Sequence, residues 1–287
     1  MAAKFTVGLI QVTATNEMAP NIRFIEEQTR LACAAGAQFV MTPENSTLIG
    51  ANRADTLAKA QPEESHESLQ AMQALARQCG IWFLLGSIHV KVEPERNANR
   101  SYLIDPSGAI VASYDKIHMF DVQLASGETY RESSTFRPGD KTVIAQTPWG
   151  KLGMTICYDL RFPYLYRDLA HAGAEMLSIP SSFTVPTGRA HWHVLMRARA
   201  IETGCFVFAP AQVGTHAANR KTYGHSLVVA PWGEVLADAG DTQPGFVTAE
   251  IDMAKVAEAR AAVPSLTHDR RYEPPVTVGT ATAKAAE

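Results

Sequence analysis

The chain has 287 residues, of which 46% are hydrophobic and 19% are charged. This is the composition of an ordinary globular protein, and the length is sufficient for a substantial buried core. The net charge of -3, from 26 basic and 29 acidic side chains, offers no basic surface for nucleic acid or an anionic membrane, so we expect neither partner.

Segments of strand and helix character alternate along the chain. A strand is predicted at 5–12, followed by a helix from Asn21 whose apolar and small residues recur on one face. The next strand, at 37–41, ends at Pro43-Glu44. A second helix is predicted at 67–79 and a long apolar strand at 81–90.

Hairpins interrupt this alternation. Apolar pairs flank a turn at 105–108, and the segments 226–230 and 234–237 flank a turn at 231–233 in the same manner. A related turn at 148–150 precedes the segment around Cys157. Hairpins combined with strand–helix units predict a layered α/β domain with mixed sheets.

No composition break divides the chain, so we predict one domain over residues 1–273 and a loosely ordered tail at 274–287. Residues 123–140 lack periodicity and are predicted to form a long loop, a type of segment that is usually functional in compact domains.

The cellular location is predicted from what the sequence lacks. The amino-terminal residues show no charged region, apolar run and cleavage site of a secretory signal, and no apolar stretch approaches the ~20 residues that cross a bilayer. The four cysteines are scattered without a CxxC pair, which favours neither disulfides nor a zinc site. We therefore expect a cytoplasmic protein.

Cys157 stands between a predicted strand and a predicted helix, in the sequence GMTICYDLRFP (153–163). Enzymes often expose a nucleophile at such a turn, and the charged residues that follow argue against a purely packing role. The other three cysteines are interpreted as small buried hydrophobic residues. No pattern around the nine histidines matches a papain-type or caspase-type site.

Two other strand ends carry ionisable residues. Glu44 follows the strand at 37–41, and Lys116 follows the hairpin strand at 110–112. Taken alone, Glu44 is more simply interpreted as a solvated loop residue and Lys116 as an edge-strand charge. Together with Cys157, however, they form an ordered set of Glu, Lys and Cys.

This set resembles the nitrilase superfamily of carbon–nitrogen hydrolases, whose members share a Glu-Lys-Cys triad. The resemblance extends from Val7 to Tyr272 and includes the motifs at 43–44, 114–121, 153–163, 180–183, 187–192 and 197–202. It implies a four-layer α-β-β-α sandwich, no metal and no organic cofactor.

The resemblance also implies a homodimer or larger homo-oligomer that pairs through helices. The helix predicted at 189–203 is the candidate, with Trp192, Leu195, Met196 and Ile201 as its apolar contacts. His191 and His193 lie on opposite faces of that helix, so they are not interpreted as a metal site.

The resemblance assigns roles to individual residues. Glu44 would be the general base and Cys157 the nucleophile. Lys116 and the backbone N–H of Tyr158 would stabilise the oxyanion. Glu132 matches a second glutamate that orients Lys116 or the substrate amide, and whether it acts directly stays open.

The implied reaction is hydrolysis of a small amide through a thioester, with release of ammonia. The loop at 130–133 is similar to that of amidases acting on deaminated glutathione and on ω-amides such as α-ketoglutaramate. The segment 211–226, which contains Arg220, is more similar to the deaminated-glutathione group. These substrates carry carboxylates, and Arg161 is predicted to bind one. An ion pair of Arg161 with Asp159 or Asp168 is the structural alternative.

Other interpretations stay open. The same triad would serve an N-carbamoyl amino-acid or ureido-acid hydrolase, and the fold could also form a catalytically silent binding module, although the intact triad argues against the latter. One departure concerns Tyr164, which follows Pro163 where family members often have Glu. This change leaves the chemistry intact but puts local substrate contacts in question.

Overall fold

A computed structural model describes residues 3–123 and 127–278. These residues form six α-helices: α1 (Met18–Ala34), α2 (Arg53–Lys59), α3 (Glu67–Cys79), α4 (Pro163–His171), α5 (Val185–Thr203) and α6 (Ala254–Ala262). They also form sixteen strands: β1 (Lys4–Gln11), β2 (Phe39–Met41), β3 (Trp82–Lys91), β4 (Asn97–Ile104), β5 (Ile110–Asp115), β6 (Asp121–Gln123), β7 (Thr129–Arg131), β8 (Val143–Thr147), β9 (Gly150–Met154), β10 (Met176–Ser178), β11 (Phe206–Ala209), β12 (Val213–Thr215), β13 (Lys221–Tyr223), β14 (Leu227–Val229), β15 (Val235–Asp238) and β16 (Gly245–Asp252).

Twelve of these strands form two six-stranded sheets. The first sheet has the order β16-β1-β2-β3-β4-β5, and the second has the order β15-β14-β11-β10-β9-β8. The central strands β1, β2 and β3 are parallel, as are β9, β10 and β11. The flanking strands are antiparallel. The prediction of mixed sheets is therefore confirmed.

The two sheets pack face to face between helices. Phe39 and Met41 of the first sheet share a buried cluster with Met176 and Phe208 of the second, so both sheets remove an apolar face from water. Helices α1 and α3 cover the outer face of the first sheet, and α4 and α5 cover that of the second. This is the predicted four-layer α-β-β-α arrangement.

The segments that follow the parallel strands of the two sheets meet at one place. Gln212, after β11, donates from its side-chain amide to the backbone carbonyls of Glu44 and Asn45, after β2, at 3.0 and 3.1 Å. These bonds join the sheets at the end where the predicted catalytic residues lie.

The region at 123–140 differs from its prediction as a long loop. Strands β6 and β7 pair as a hairpin, and a 3₁₀ helix follows at Glu132–Ser134. Residues 124–126 lie outside the described residues. Of the predicted tail, residues 274–278 are exposed and have no regular structure, and 279–287 lie outside the described residues.

Gly86 lies in β3, where the strand passes against the segment that carries Glu44. A Cβ at this position would overlap the carbonyl oxygens of Thr42 and Pro43. We expect Gly86→Ala to lower the free energy of unfolding by about 1–3 kcal/mol, and to lower kcat because Glu44 is displaced. Urea denaturation and turnover measure the two effects.

Gly8→Ala is the matched control in the same sheet. Its Cβ would meet only side-chain atoms, none closer than 3.2 Å. Equal losses in the two variants would show that the close approach at Gly86 has no special importance.

Candidate active site

Cys157 begins a 3₁₀ helix (Cys157–Arg161) shortly after β9. Its φ of 50° lies in the left-handed region, which is uncommon for residues other than glycine. Its N–H donates to the carbonyl of Pro180 at 3.0 Å, and the N–H of Ser182 donates to its sulfur. The segment after β10 thus holds the thiol in an unusual backbone conformation of the kind that clusters at functional sites.

Asp159 is completely buried and fixes this turn. One carboxylate oxygen accepts from the N–H of Ile156 at 2.8 Å and from the hydroxyl of Tyr114 at 2.7 Å. The other accepts from the N–H of His118 at 3.1 Å and lies 2.7 Å from its ring Nδ1. Asp159 therefore connects the turn of the nucleophile to the end of β5 in the other sheet.

Tyr164, at the position where similar proteins often have Glu, adds to this network. Its hydroxyl lies 2.8 Å from Nε2 of His118, and the His118 ring stacks on Phe162 with centroids 3.5 Å apart. Tyr164 is 60% exposed and is not among the residues that line the catalytic cavity. It therefore supports His118 from the solvent side.

An ion cluster lies beside the thiol. Nζ of Lys116 is 2.7 Å from Glu44 and 2.8 and 2.9 Å from the two oxygens of Glu132. Asn99 donates to both carboxylates, at 3.0 and 3.2 Å. The thiol of Cys157 is hydrogen-bonded to Glu44. The structure thus brings together all four residues that were predicted to be catalytic.

Burial and charge set the protonation states. Burial would raise the pKa of Glu44, but the Lys116 ammonium lowers it below its ordinary value. Burial would lower the pKa of Lys116, but the carboxylates of Glu132 and Glu44 raise it. Burial and the Glu44 charge raise the pKa of the Cys157 thiol well above its ordinary value. At neutral pH the site therefore holds a neutral thiol next to an ionised base.

Two donors are available for a negatively charged oxygen. Tyr158 is the second residue of the 3₁₀ helix, where an N–H has no carbonyl partner within the helix. The ammonium of Lys116 acts electrostatically on Cys157. Such a pair can stabilise the oxyanion that forms when a thiol attacks a carbonyl.

A cavity of about 440 Å³ lies beside the thiol. Its charged lining consists of four basic and two acidic side chains, a formal excess of two positive charges in a chain of net charge -3. This excess favours an anionic ligand. The six residues are Arg53, Lys116, Arg131, Arg220, Glu44 and Glu132.

Arg161 lies behind the wall of this cavity and is not among the lining residues. Its guanidinium carbon is 5.6 Å from the Phe183 ring and 5.9 Å from the Tyr158 ring, and both rings line the cavity. Nη2 is 3.3 Å from Nδ1 of His191. Neither alternative ion pair, with Asp159 or with Asp168, is present in the described part of the chain. The role of Arg161 as a carboxylate ligand stays a prediction.

One group of three side chains in the described ranges has a spacing that could hold a metal ion: His193, His225 and Asp238. It lies outside the catalytic cavity. Asp238 is already the hydrogen-bond partner of both imidazoles, at 3.0 and 2.8 Å. We therefore interpret it as a structural link between α5 and β15.

Three contributors were missed at the sequence level: Asn99, Asp159 and the backbone of Ser182. The sequence indicates for Asp159 only a possible ion pair with Arg161. A signal for Asn99 exists, because four of the five residues at 97–101 are polar and this segment becomes the first half of a largely buried strand. Buried polar side chains require partners, so such a run indicates an internal polar network.

Fold and site together are those of a hydrolase whose buried cysteine lies beside an ionised carboxylate rather than beside a histidine. Residues 6–261 match the family model described as carbon-nitrogen hydrolase. The deaminated glutathione amidase of Yersinia enterocolitica is 40% identical over 267 residues, which cover 92% of each chain.

Two further proteins extend the comparison. The deaminated glutathione amidase of Homo sapiens is 40% identical over 269 residues, covering 92% of this chain and 82% of that one. The crystal structure of Saccharomyces cerevisiae Nit3, a member of branch 10 of the nitrilase superfamily, has a TM-score of 0.84 at 29% identity and covers 95% and 100% of the two chains. The chain belongs to the carbon–nitrogen hydrolase family, and it is an amidase.

Proposed function

We propose that this amidase hydrolyses an amide of a small, carboxylate-bearing molecule, and that deaminated glutathione is its preferred substrate. The observation that carries the proposal is the positively charged cavity around the Glu44–Cys157 pair. The relatives named deaminated glutathione amidase support the choice among carboxylate-bearing amides. A cytoplasmic location stays a prediction, and none of the helices in the described ranges has the length and apolarity needed to cross a membrane.

The reaction proceeds in two halves. Cys157 attacks the amide carbonyl carbon while Glu44 takes the thiol proton, and Lys116 and the Tyr158 N–H stabilise the oxyanion. Glu44 then protonates the leaving nitrogen, the C–N bond breaks and a thioester remains. In the second half Glu44 takes a proton from water, the hydroxide attacks the thioester, and the acid product leaves as Cys157 regains its proton.

Glu132 is a positioning residue in this scheme. Its two oxygens hold Nζ of Lys116, and one of them accepts from the N–H of Phe120 at 2.6 Å. This bidentate contact fixes the ammonium beside Glu44.

The leaving group differs between the candidate substrates. Glutathione and its deaminated form contain only secondary amides, so their hydrolysis releases an amine-bearing peptide. The expected release of ammonia holds for primary amides such as α-ketoglutaramate. An assay that follows ammonia alone would therefore miss the preferred substrate.

The test measures, by mass spectrometry, the acid formed from deaminated glutathione, α-ketoglutaramate and succinamate, and the amino acid released from N-carbamoyl amino acids. We expect the highest kcat/KM for deaminated glutathione and no turnover by Cys157→Ala. A higher kcat/KM for N-carbamoyl amino acids would instead support the ureido-acid hydrolase. If the wild type hydrolyses none of these compounds faster than Cys157→Ala does, the proposal is overturned.

We also propose a homodimer, but its contacts differ from those that the sequence predicted for α5. Trp192 and Met196 of α5 are fully buried within their own chain and cannot reach a partner. Val194 and Ile201 of the same helix are 68% and 54% exposed, and Trp232 is 57% exposed. These exposed apolar side chains are the contacts we propose for a second copy.

A further inference from the structure

Arg220 is a cation in the catalytic cavity that lacks a carboxylate partner. Its Nη2 donates to the carbonyl oxygen and to Oγ of Ser182, at 3.3 and 3.1 Å. Its guanidinium carbon lies 5.8 Å from the Tyr130 ring. Its Nε is buried and has no hydrogen-bond partner, and no Asp or Glu in the described ranges forms an ion pair with it. A buried charged donor without a partner is costly unless a ligand supplies one.

The other basic residues of the cavity differ from Arg220. Lys116 is paired with two carboxylates, those of Glu44 and Glu132, and therefore contributes no free positive charge. Arg53 pairs with Glu95 at 2.9 Å. Arg131 is exposed to water, which screens its charge. The unbalanced positive charge within the cavity wall is therefore that of Arg220.

This charge lies close to the reacting groups. Ser182 connects the two sites, because its N–H donates to the sulfur of Cys157 while its Oγ and carbonyl oxygen hold Arg220. Burial would raise the pKa of Glu44, whereas Lys116 and, to a smaller extent, Arg220 lower it. A ligand bound to the sulfur can therefore bring an anionic group to Arg220 within a few bonds.

We propose that Arg220 binds a carboxylate of the substrate and thereby selects anionic amides over neutral ones. This inference rests on the proposed function and adds the residue that recognises the anionic group. The planar guanidinium, held against Tyr130 and Ser182, lines the cavity, where a carboxylate can accept from the N–H groups that have no partner within the chain.

The first test is independent of turnover and uses two alkylating reagents that differ in charge, iodoacetate and iodoacetamide. With either reagent the sulfur of Cys157 displaces iodide from the methylene carbon, and the thiol proton passes to Glu44. Mass spectrometry of the Cys157 peptide gives the rates. We expect Arg220→Met to slow the reaction with iodoacetate about 10-fold or more, as expected for loss of a charged hydrogen bond, and to leave that with iodoacetamide within about twofold.

Control variants separate charge from folding. Arg220→Lys keeps the charge but not the planar fork, so it should retain part of the preference for iodoacetate. Arg96→Met removes an exposed arginine outside the cavity and should change neither rate. The unchanged rate with iodoacetamide shows that a variant is folded. If Arg220→Met slows both reagents equally or slows neither, the proposal is wrong.

The second test compares succinamate with succinamide, two primary amides that differ in one carboxylate. Arg220→Met should lower kcat/KM for succinamate about 10- to 100-fold and leave that for succinamide unchanged. Equal losses on both would overturn the role of Arg220 without affecting the amidase function. The wild type could fail to hydrolyse either compound while Arg220→Met still changes the ratio of the iodoacetate and iodoacetamide rates. That result would overturn the proposed substrate class and support the role of Arg220.

Discussion

Replacement of Glu44 by glutamine is expected to lower kcat by about 10²- to 10⁴-fold and at the same time to make the Cys157 thiol easier to ionise. The activity falls because glutamine cannot accept a proton in either half of the reaction. The thiol pKa falls because the Glu44 charge, which helps to raise it, is removed while Lys116 remains. Glutamine still offers an oxygen to Lys116 and Asn99, so the geometry can persist.

The thiol pKa is measured by the ultraviolet absorbance of the thiolate during a pH titration. The same variant with Cys157→Ala is subtracted, because the other three cysteines also titrate. The combination of lower kcat and a lower thiol pKa distinguishes a general base from a residue that merely stabilises a thiolate. A thiol that titrates at the same pH as in the wild type, or higher, would contradict the arrangement.

The wild-type pH profile follows from the same pair. Because the pKa of Glu44 lies below its ordinary value of 4.5, the base stays ionised through the neutral range. We therefore expect kcat to hold through neutral pH and to decrease only as the pH falls through the lowered pKa. In Glu44→Gln this acidic decrease should be absent from the residual activity.

Replacement of Lys116 by methionine should lower kcat by about 10²- to 10³-fold and the free energy of unfolding by about 3–5 kcal/mol. The first effect is the loss of an oxyanion donor. The second arises because the buried Glu44 and the partly buried Glu132 would remain as two carboxylates that share Asn99 and have no cation between them. Urea denaturation and turnover measure the two effects.

The stability loss should depend on pH with a defined sign. Without Lys116, burial and the like charge of Glu132 raise the pKa of Glu44 in the folded state above its unfolded value. A group with a raised folded pKa stabilises the fold at low pH, and that contribution disappears as the pH rises through the folded pKa. The loss in Lys116→Met should therefore be largest at neutral pH and smaller in mild acid.

Two variants test this explanation. Addition of Glu132→Gln to Lys116→Met removes one of the two like charges and should recover part of the stability. Lys141→Met, at an exposed position, should cost almost nothing. If Lys116→Met is no less stable than Lys141→Met, the buried ion pairs do not contribute to folding as described.

The predicted catalytic residues are assigned from the family resemblance, and their positions at strand ends are consistent with that assignment. Glu44 and Cys157 follow parallel strands, and the carboxyl ends of such strands are where α/β proteins place functional side chains. Asn99 could not be placed in the same way, because it lies inside β4. Its position next to Lys116 depends on the pairing of β4 with β5, where the Lys116 N–H donates to the Asn99 carbonyl at 3.0 Å.

The direction of side chains explains the remaining differences between the sequence predictions and the structure. Helical periodicity places Trp192 and Met196 of α5 on one face, but it does not say whether that face meets the same chain or a partner, and here it meets the same chain. The choice between Arg161 and Arg220 depends likewise on the course of a 3₁₀ helix and of a loop more than fifty residues away. Such long-range geometry leaves no periodic pattern in the sequence.

The site also reports on the alignment of the two sheets. Glu44 and Lys116 extend from the first sheet and Cys157 from the second, and a hydrogen bond between thiol and carboxylate joins them. A slip of one sheet along the other by a single residue, ~3.3 Å, would separate the base from the nucleophile. Turnover therefore depends on the alignment of the two sheets. A state that keeps its secondary structure but loses the packing between the sheets would already be inactive.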